Sequence, residues 1–349
     1  MTKHQDGDGS GLFRSTDRRE FLRSTAAAVG SFAVPGAFDA LLARARAGEK
    51  RPSRSIDYGP LHPATDENTG WDLLQLPEGF RYLSFGWTGD AMSDGTITPG
   101  SHDGMAVIAE DEETGIVTLC RNHEIRTLPD RRAFGPEEIT YDERAGGGCV
   151  QLRFDTRNGR WLDARSSLSG TCRNCAGGPT PWGSWLTCEE TVSDSQWDSE
   201  AGRGEHRPYA KTHGWIFEVP ADRPAEAVPL KDMGRFIHEA VAVDPDTGSV
   251  YETEDRTTAG FYRFLQKTGT KISDGGRLQM LKVLGRDQVQ TGLRAGETFD
   301  VEWVDIDDPE RPHHDDRKHE TLGVFMQGQA KGGATFARLE GCWYGNGVV

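Results

Sequence analysis

Three short segments of this chain share one turn pattern, and their spacing constrains the fold more than any other feature. Each starts at an aspartate and reaches a glycine four residues later between apolar flanks: Asp111–Val117, Asp155–Trp161 and Asp244–Tyr251. Aspartate and glycine placed in this way are typical of tight antiparallel hairpins. The three glycines lie 44 and then 89 residues apart, and propeller blades repeat at roughly 40 to 50 residues. The spacing predicts a β-propeller, with a meandering β-sandwich as the alternative.

The remaining secondary-structure signal is also β. Short apolar or alternating runs bounded by glycine, aspartate or proline predict strands. They are Met105–Ala109, Ile116–Cys120, Cys149–Phe154, Trp215–Val219, Ala240–Val243 and Phe261–Leu265. Helical periodicity is confined to the N-terminal region, and the 43 glycines and 17 prolines suit a turn-rich protein. We therefore expect an all-β fold.

The N-terminal region has the layout of an export signal. Arg18 and Arg19 precede a Phe-Leu pair and the mildly apolar, alanine-rich run Thr25–Ala43, which is the pattern of a twin-arginine signal. The apolar run is too short and interrupted for a stable membrane span. An amphipathic helix beside a basic tail is the alternative. We expect a signal peptide at residues 1–47, a linker at 48–59 and one catalytic domain at 60–349.

The predicted export signal and the charge of the chain together limit its location and partners. The twin-arginine machinery would deliver the protein to the periplasm or the cell exterior. The formal net charge is −15 and the pI is near 5.2, which argues against nucleic acid or an anionic membrane as a partner. An acidic chain of this kind needs bound cations to hold an anionic substrate.

The stretch Ser169–Glu190 has the highest density of reactive side chains. It contains Cys172, Cys175 and Cys188 together with the adjacent carboxylates Glu189 and Glu190. A soft thiolate beside hard carboxylates suits a mixed metal site better than zinc. Structural zinc would need a second cysteine pair, and a redox dithiol is usually followed by a helix. The sequence shows neither a second cysteine pair nor such a helix, although structural zinc and a redox dithiol remain alternatives.

Further acidic and amide residues lie at the ends of predicted strands, where blades of a propeller converge on the central channel. They are Asn122, Glu124, Glu239, Glu254, Asp255 and Glu340. Each alone is more often a solvated loop residue, since aspartate and glutamate are mostly exposed. Their joint occurrence favours a shared site.

These motifs resemble a known family. Arg173–Gly178, followed by Thr180–Gly183 and Leu186–Glu190, is similar to the signature of the PhoX-type alkaline phosphatases, and the flanking clusters follow in the family's order across residues 60–349. The resemblance implies a six-bladed propeller, exported by the twin-arginine route, that hydrolyses small phosphomonoesters. It also implies a ferric pair and several calcium ions in the channel.

The resemblance also implies roles for individual residues. Cys175, Glu239 and Glu340 would ligate iron and carry catalysis. The expected calcium or bridging ligands are Asn122, Glu124, Glu189, Glu190, Glu254 and Asp255. Clustered cations would neutralise phosphate charge and polarise the phosphoryl oxygen. Two rival functions are a calcium-dependent propeller hydrolase such as a lactonase, which needs no thiolate, and a non-catalytic binding propeller, which needs no clustered carboxylates.

The C-terminal end departs from the family pattern. Members continue beyond the motif Glu340–Trp343, whereas here the sequence ends at Val349, just after the turn residues Gly345–Gly347. An Asn-Gly turn usually leads into a returning strand. On this basis we expect a C-terminally truncated chain with an incompletely closed ring.

Overall fold

The computed structural model describes residues 58–127, 132–193, 209–267, 271–313 and 323–349. The predicted signal peptide, residues 1–47, lies outside these ranges. The strands are β1 (His62–Thr65), β2 (Asp72–Leu76), β3 (His102–Asp111), β4 (Ile116–His123), β5 (Gly147–Asp155), β6 (Arg160–Thr171), β7 (Asn174–Pro179), β8 (Ser184–Glu189), β9 (Ile216–Pro220), β10 (His238–Val243), β11 (Val250–Glu254), β12 (Phe261–Gln266), β13 (Gly276–Val283) and β14 (Val301–Asp305). All of them belong to one compact unit, residues 56–292 and 298–349.

The strands form four antiparallel sheets, and each sheet follows chain order. The orders are β1-β2, β3-β4-β5-β6, β7-β8-β9 and β10-β11-β12-β13-β14. A series of small meandering sheets is the arrangement of propeller blades, although within the described residues no sheet closes on itself. The predictions of an all-β fold and of a propeller-like architecture are confirmed, and every predicted strand lies in an observed one apart from the first residue of one run, Trp215.

The three repeated turns form hairpins as predicted, and they do so by the same local chemistry. In each turn the aspartate carboxylate accepts a backbone N–H from two residues ahead, at 2.9 to 3.1 Å. Gly115, Gly159 and Gly248 then adopt left-handed φ values of 73°, 60° and 70°, which cost glycine little. The turns join β3 to β4, β5 to β6 and β10 to β11.

The first strands of the three larger sheets meet through glycines. A Cβ added to Gly178 in β7 would lie 2.1 Å from the carbonyl oxygen of Val241 in β10. A Cβ added to Gly104 in β3 would lie 2.8 Å from the carbonyl oxygen of Cys175 in β7. Only glycine allows backbones to approach this closely. As a result, side chains on β3, β7 and β10 are brought into one small region.

Two apolar clusters fill the space between neighbouring sheets. One joins β8 and β9 to β10–β13 and includes Leu186, Val241 and Phe264, while the other joins β3–β6 to β8 and β9 through Trp185 and Phe217. Burial of such side chains stabilises each by about 1.5–3 kcal/mol relative to exposure. This packing fixes the relative positions of the strands that carry the candidate site.

One helix was not predicted. The helix α1 (Val324–Ala330) lies in the C-terminal part of the chain, outside the N-terminal region to which helical periodicity is confined in the sequence. Its seven residues make two turns, too few to show a helical period. Packing on β13 stabilises it, since a Cβ at Gly328 would lie 2.2 Å from Met280 Sδ. No helix among the described residues is long and apolar enough to cross a membrane.

Candidate metal centre

Two of the predicted ligands lie at irregular points of their strands. The pairing of β7 with β8 shifts register between Asn174 and Gly177, and the pairing of β10 with β11 shifts between His238 and Val241. Cys175 and Glu239 lie inside these shifts. Bulges re-aim side chains and are common beside active sites. Here the Cys175 Sγ atom lies 3.4 Å from Glu239 Oε2 and donates a hydrogen bond to it.

Five of the predicted site residues come together around Glu239. Ligand atoms of Cys175, Glu190 and Glu239 lie within 4.8 Å of one another, as do those of Glu239, Asp255 and Glu340. They come from β7, from the residue after β8, from β10, from the residue after β11 and from the C-terminal segment. We call this group the acidic centre. Strands that end at one place thus assemble residues 165 positions apart in sequence.

Three groups of the acidic centre have raised pKa values. Burial raises the pKa of Glu190 to about 8, although Arg173 opposes the shift, and the charge of Glu239 adds to it. Burial together with the charges of Glu340 and Asp255 raises the pKa of Glu239 to about 7. Burial and the charges of Glu239 and Glu190 keep the pKa of the Cys175 thiol well above its usual value. A cation placed here would reverse all three shifts, because it stabilises the ionised forms.

One edge of the centre is organised by an arginine to which the sequence analysis gave no role. Arg173 lies 2.7 Å from Glu124 and 2.7 Å from Glu190, so it bridges both carboxylates. Asp103 in β3 lies beside Glu124, and burial together with the charge of Glu124 raises the pKa of Asp103. Glu124 is therefore next to the acidic centre rather than inside it. The sequence signal for Arg173 is its place at the start of the motif Arg173–Gly178, two residues before Cys175.

A second arginine lies at the opposite edge. Arg338 approaches Asp255 to 2.6 Å and Glu340 to 3.0 Å, and its side chain is 59% exposed. Its backbone has a left-handed φ of 53°, a conformation uncommon for a residue with a side chain. Arg338 thus presents positive charge at the rim of a strongly acidic cluster, where an anionic ligand could meet it.

Asn122 supports the backbone of β7 at Cys175. Its amide nitrogen donates to the carbonyls of Cys175 and Ala176, at 3.3 and 2.7 Å. Its oxygen accepts from Trp185 Nε1 and Thr187 Oγ1, each at 2.9 Å. Because these protein groups occupy both ends of the amide, the structure gives Asn122 a positioning role for the strand of Cys175. Its predicted binding of calcium stays a prediction.

Glu189 and Glu254 lie outside the acidic centre, and each carboxylate is surrounded by hydrogen-bond donors that include a histidine. The Glu189 carboxylate accepts hydrogen bonds from three backbone N–H groups and from His213, at 2.7 to 3.1 Å. The Glu254 carboxylate accepts from Gly260 N–H, from a tyrosine hydroxyl and from His313. Both are completely buried. They do not belong to the acidic centre, and their predicted metal binding stays a prediction.

The donors of the acidic centre fit metal ions. A thiol and four carboxylates offer soft and hard ligands together, and Asp255 Oδ1 is buried without a hydrogen-bond partner among the described residues. The cysteine pair does not act as one unit, because the Cys172 thiol donates to Tyr209 Oη at 3.2 Å, away from Cys175. All six cysteines are free and buried. Nothing in this arrangement supports a cysteine-based zinc site or a disulfide.

Comparison with known proteins gives a family match and a fold match. The sequence profile described as "Alkaline phosphatase PhoX" matches residues 56–168 and 163–349. No curated protein matches the chain. The solved structure "Pseudomonas fluorescens PhoX in complex with vanadate, a transition state analogue" is similar with a TM-score of 0.50 and 18% sequence identity, over 75% of this chain and 62% of that one. The likeness at this identity is one of fold.

Proposed function

Because this chain belongs to the alkaline phosphatase PhoX family, we propose that it is a metal-dependent phosphomonoesterase that uses the acidic centre. The observation that carries the proposal is the convergence of the Cys175 thiol and four carboxylates on Glu239. So many like-charged groups would oppose folding unless cations or protons neutralised them. A phosphate ester, itself anionic, could enter such a site only with cations present.

The proposed division of metals follows ligand chemistry and the family resemblance. Iron would be held by Cys175, Glu239 and Glu340, and calcium by the oxygen ligands Glu190 and Asp255, with Glu124 at the edge. When bound, these cations would neutralise the charge of the phosphate and polarise its phosphoryl oxygen.

The side chains of the chain itself have three tasks in this proposal. Glu239 Oε2 accepts a hydrogen bond from the Cys175 thiol at 3.4 Å, which directs the sulfur toward the carboxylates of the acidic centre. Arg173 fixes Glu190 by its 2.7 Å ion pair. Arg338 is positioned to donate paired N–H groups to phosphate oxygens, since a guanidinium fork matches them in shape and charge.

The cellular setting is proposed from the leader and the family. Export by the twin-arginine machinery would place the enzyme in the periplasm or outside the cell, where small phosphate esters can serve as a source of inorganic phosphate. The buried Cys175 in the centre favours a phosphatase over a lactonase, because a hydrolase with only calcium and carboxylates needs no thiolate.

The proposal is tested by hydrolysis assays on matched variants. Purified protein should hydrolyse an aryl phosphate, lose activity in a calcium chelator and regain it when calcium is added. Glu239→Gln should abolish activity without recovery. Glu226→Gln, at an exposed carboxylate outside the acidic centre, should not change it. Hydrolysis of lactones but not of phosphate esters, or equal activity of the two variants, would overturn the proposal.

A further inference from the structure

Arg173 joins Glu124 and Glu190 through a single nitrogen atom. Its Nη2 donates to Glu124 Oε1 and to Glu190 Oε2, each at 2.7 Å. Its Nε–H donates to the same oxygen of Glu124 at 3.1 Å. Because a terminal guanidinium nitrogen carries two hydrogens, Nη2 can give one to each carboxylate. The nitrogen thus stands between the two glutamates as a bridging cation would.

The backbone of Arg173 fixes the guanidinium in this place. Its N–H donates to the carbonyl of Ile125, the residue after Glu124, at 3.0 Å, and its carbonyl accepts the N–H of Glu190 at 2.9 Å. Arg173 also has a left-handed φ of 54°, a conformation that is uncommon for a residue with a side chain. The side chain therefore begins at a point that is hydrogen-bonded to both segments whose carboxylates it joins.

The two glutamates need positive charge between them. Their side chains are only 29% and 16% exposed, so water screens their repulsion incompletely. Burial raises the pKa of Glu190, and among its neighbours Arg173 opposes this shift while the charge of Glu124 adds to it. Two ionised carboxylates at this separation disfavour each other. The guanidinium offsets that repulsion without any bound ion.

Arg338, at the opposite edge, is held in a different way. Its Nη1 pairs with Asp255 and its Nη2 with Glu340, so each nitrogen meets one carboxylate, and its side chain is 59% exposed. The Arg173 side chain is only 28% exposed, and one nitrogen meets both carboxylates. Arg338 therefore faces solvent, where a ligand can reach it, whereas Arg173 lies between ligand-type oxygens of the protein itself.

We propose that Arg173 is a built-in cation that takes the place of a calcium ion between Glu124 and Glu190. Calcium lies about 2.3 to 2.6 Å from its oxygen ligands, close to the 2.7 Å at which Nη2 meets each carboxylate. The nitrogen and an ion cannot occupy this position together. The inference rests on the proposed function and narrows it: Glu124 binds the guanidinium, and calcium is left to the carboxylates around Glu239.

The number of calcium ions bound per chain tests the inference. The full-length protein is dialysed to equilibrium against calcium, and bound calcium is measured by atomic emission. Arg173→Met should bind one ion more than the native protein, because the two carboxylates then need another cation. Adding Glu124→Gln to Arg173→Met should return the count to the native value. Arg153→Met, at an exposed arginine paired with Asp163, is the control and should keep the native count.

Glu124→Gln alone supplies a second measurement if Arg173→Met does not fold. We expect the native calcium count in this variant, because Glu124 binds the guanidinium and not an ion. Loss of one calcium ion in Glu124→Gln, or equal counts in Arg173→Met and the native protein, would overturn the inference. Either result would leave the proposed phosphatase activity standing. A native protein that binds no calcium would instead contradict the proposed function, and one ion gained by Arg173→Met would still support the inference.

Discussion

His213 gives the chain a pH-dependent stability that can be measured directly. Its ring is completely buried between Glu189, 2.7 Å from Nδ1, and Asp142, 3.4 Å from Nε2. Burial disfavours the charged ring, but the charge of Glu189 and the hydrogen bonds to both carboxylates outweigh it and raise the pKa to about 9. The ordinary value for histidine is about 6.5. The imidazolium is therefore the form present in the folded protein near neutral pH.

The magnitude follows from the difference in pKa between the two states. A shift of about 2.5 pKa units corresponds to roughly 3 kcal/mol of folding free energy. Because the folded-state value is raised, this contribution is fully present below pH 6.5 and is lost as the pH rises through about 9. Between pH 6.5 and about 9, the free energy of unfolding should therefore decrease more for the native protein than for a variant without the imidazole.

The assay is urea unfolding of the full chain at several pH values between 6 and 10. The His213→Gln variant should be less stable than the native protein by roughly 3 kcal/mol at pH 6, and the difference should shrink toward pH 10. His62→Gln, at an exposed histidine of β1, is the control and should follow the native curve. A constant difference between the native protein and His213→Gln across the pH range would refute the reasoning, because it would mean that His213 is neutral in the folded state.

Two further predictions concern the acidic centre. Gly178→Ala should push β7 away from β10, because its Cβ would lie 2.1 Å from the Val241 carbonyl oxygen. We expect a loss of about 1–3 kcal/mol in stability and a lower metal content. The control Gly345→Ala, whose Cβ would have no atom within 4 Å, should change neither. Metal binding should strengthen with pH, since Glu239 and Glu190, with pKa values of about 7 and about 8, must lose protons to bind cations. Calcium titrations at pH 6 and pH 9 that give equal affinity would contradict this.

The blade architecture was accessible from sequence because its signals are local. An aspartate that caps its own turn and a glycine four residues later act within five residues, as at Asp111 and Gly115. The helix at Val324–Ala330 was missed for the opposite reason. It is too short to show a period, and it depends on contact with Met280 in a distant strand.

The site was accessible only in part. Glu189 and Glu190 are adjacent and look equivalent in sequence, yet one is surrounded by donors from residues 213–215 and the other joins the acidic centre. The donors to Glu189 at residues 213–215 are 24 to 26 residues away in the chain, and Glu239, which groups with Glu190, is also distant in sequence. Arg338 and Asp103 gave no signal for the same reason, because their importance comes from neighbours on other strands.

The central claim is that the Cys175 thiolate and the carboxylates around it hold iron and calcium, and metal analysis combined with visible spectroscopy tests it most directly. Protein purified without chelators should contain both metals and show an absorption band from thiolate-to-iron charge transfer. Cys175→Ser should lose the band, while Cys172→Ser, whose thiol faces Tyr209 instead, should keep it. A colourless protein without iron, or a band that survives in Cys175→Ser, would contradict the account.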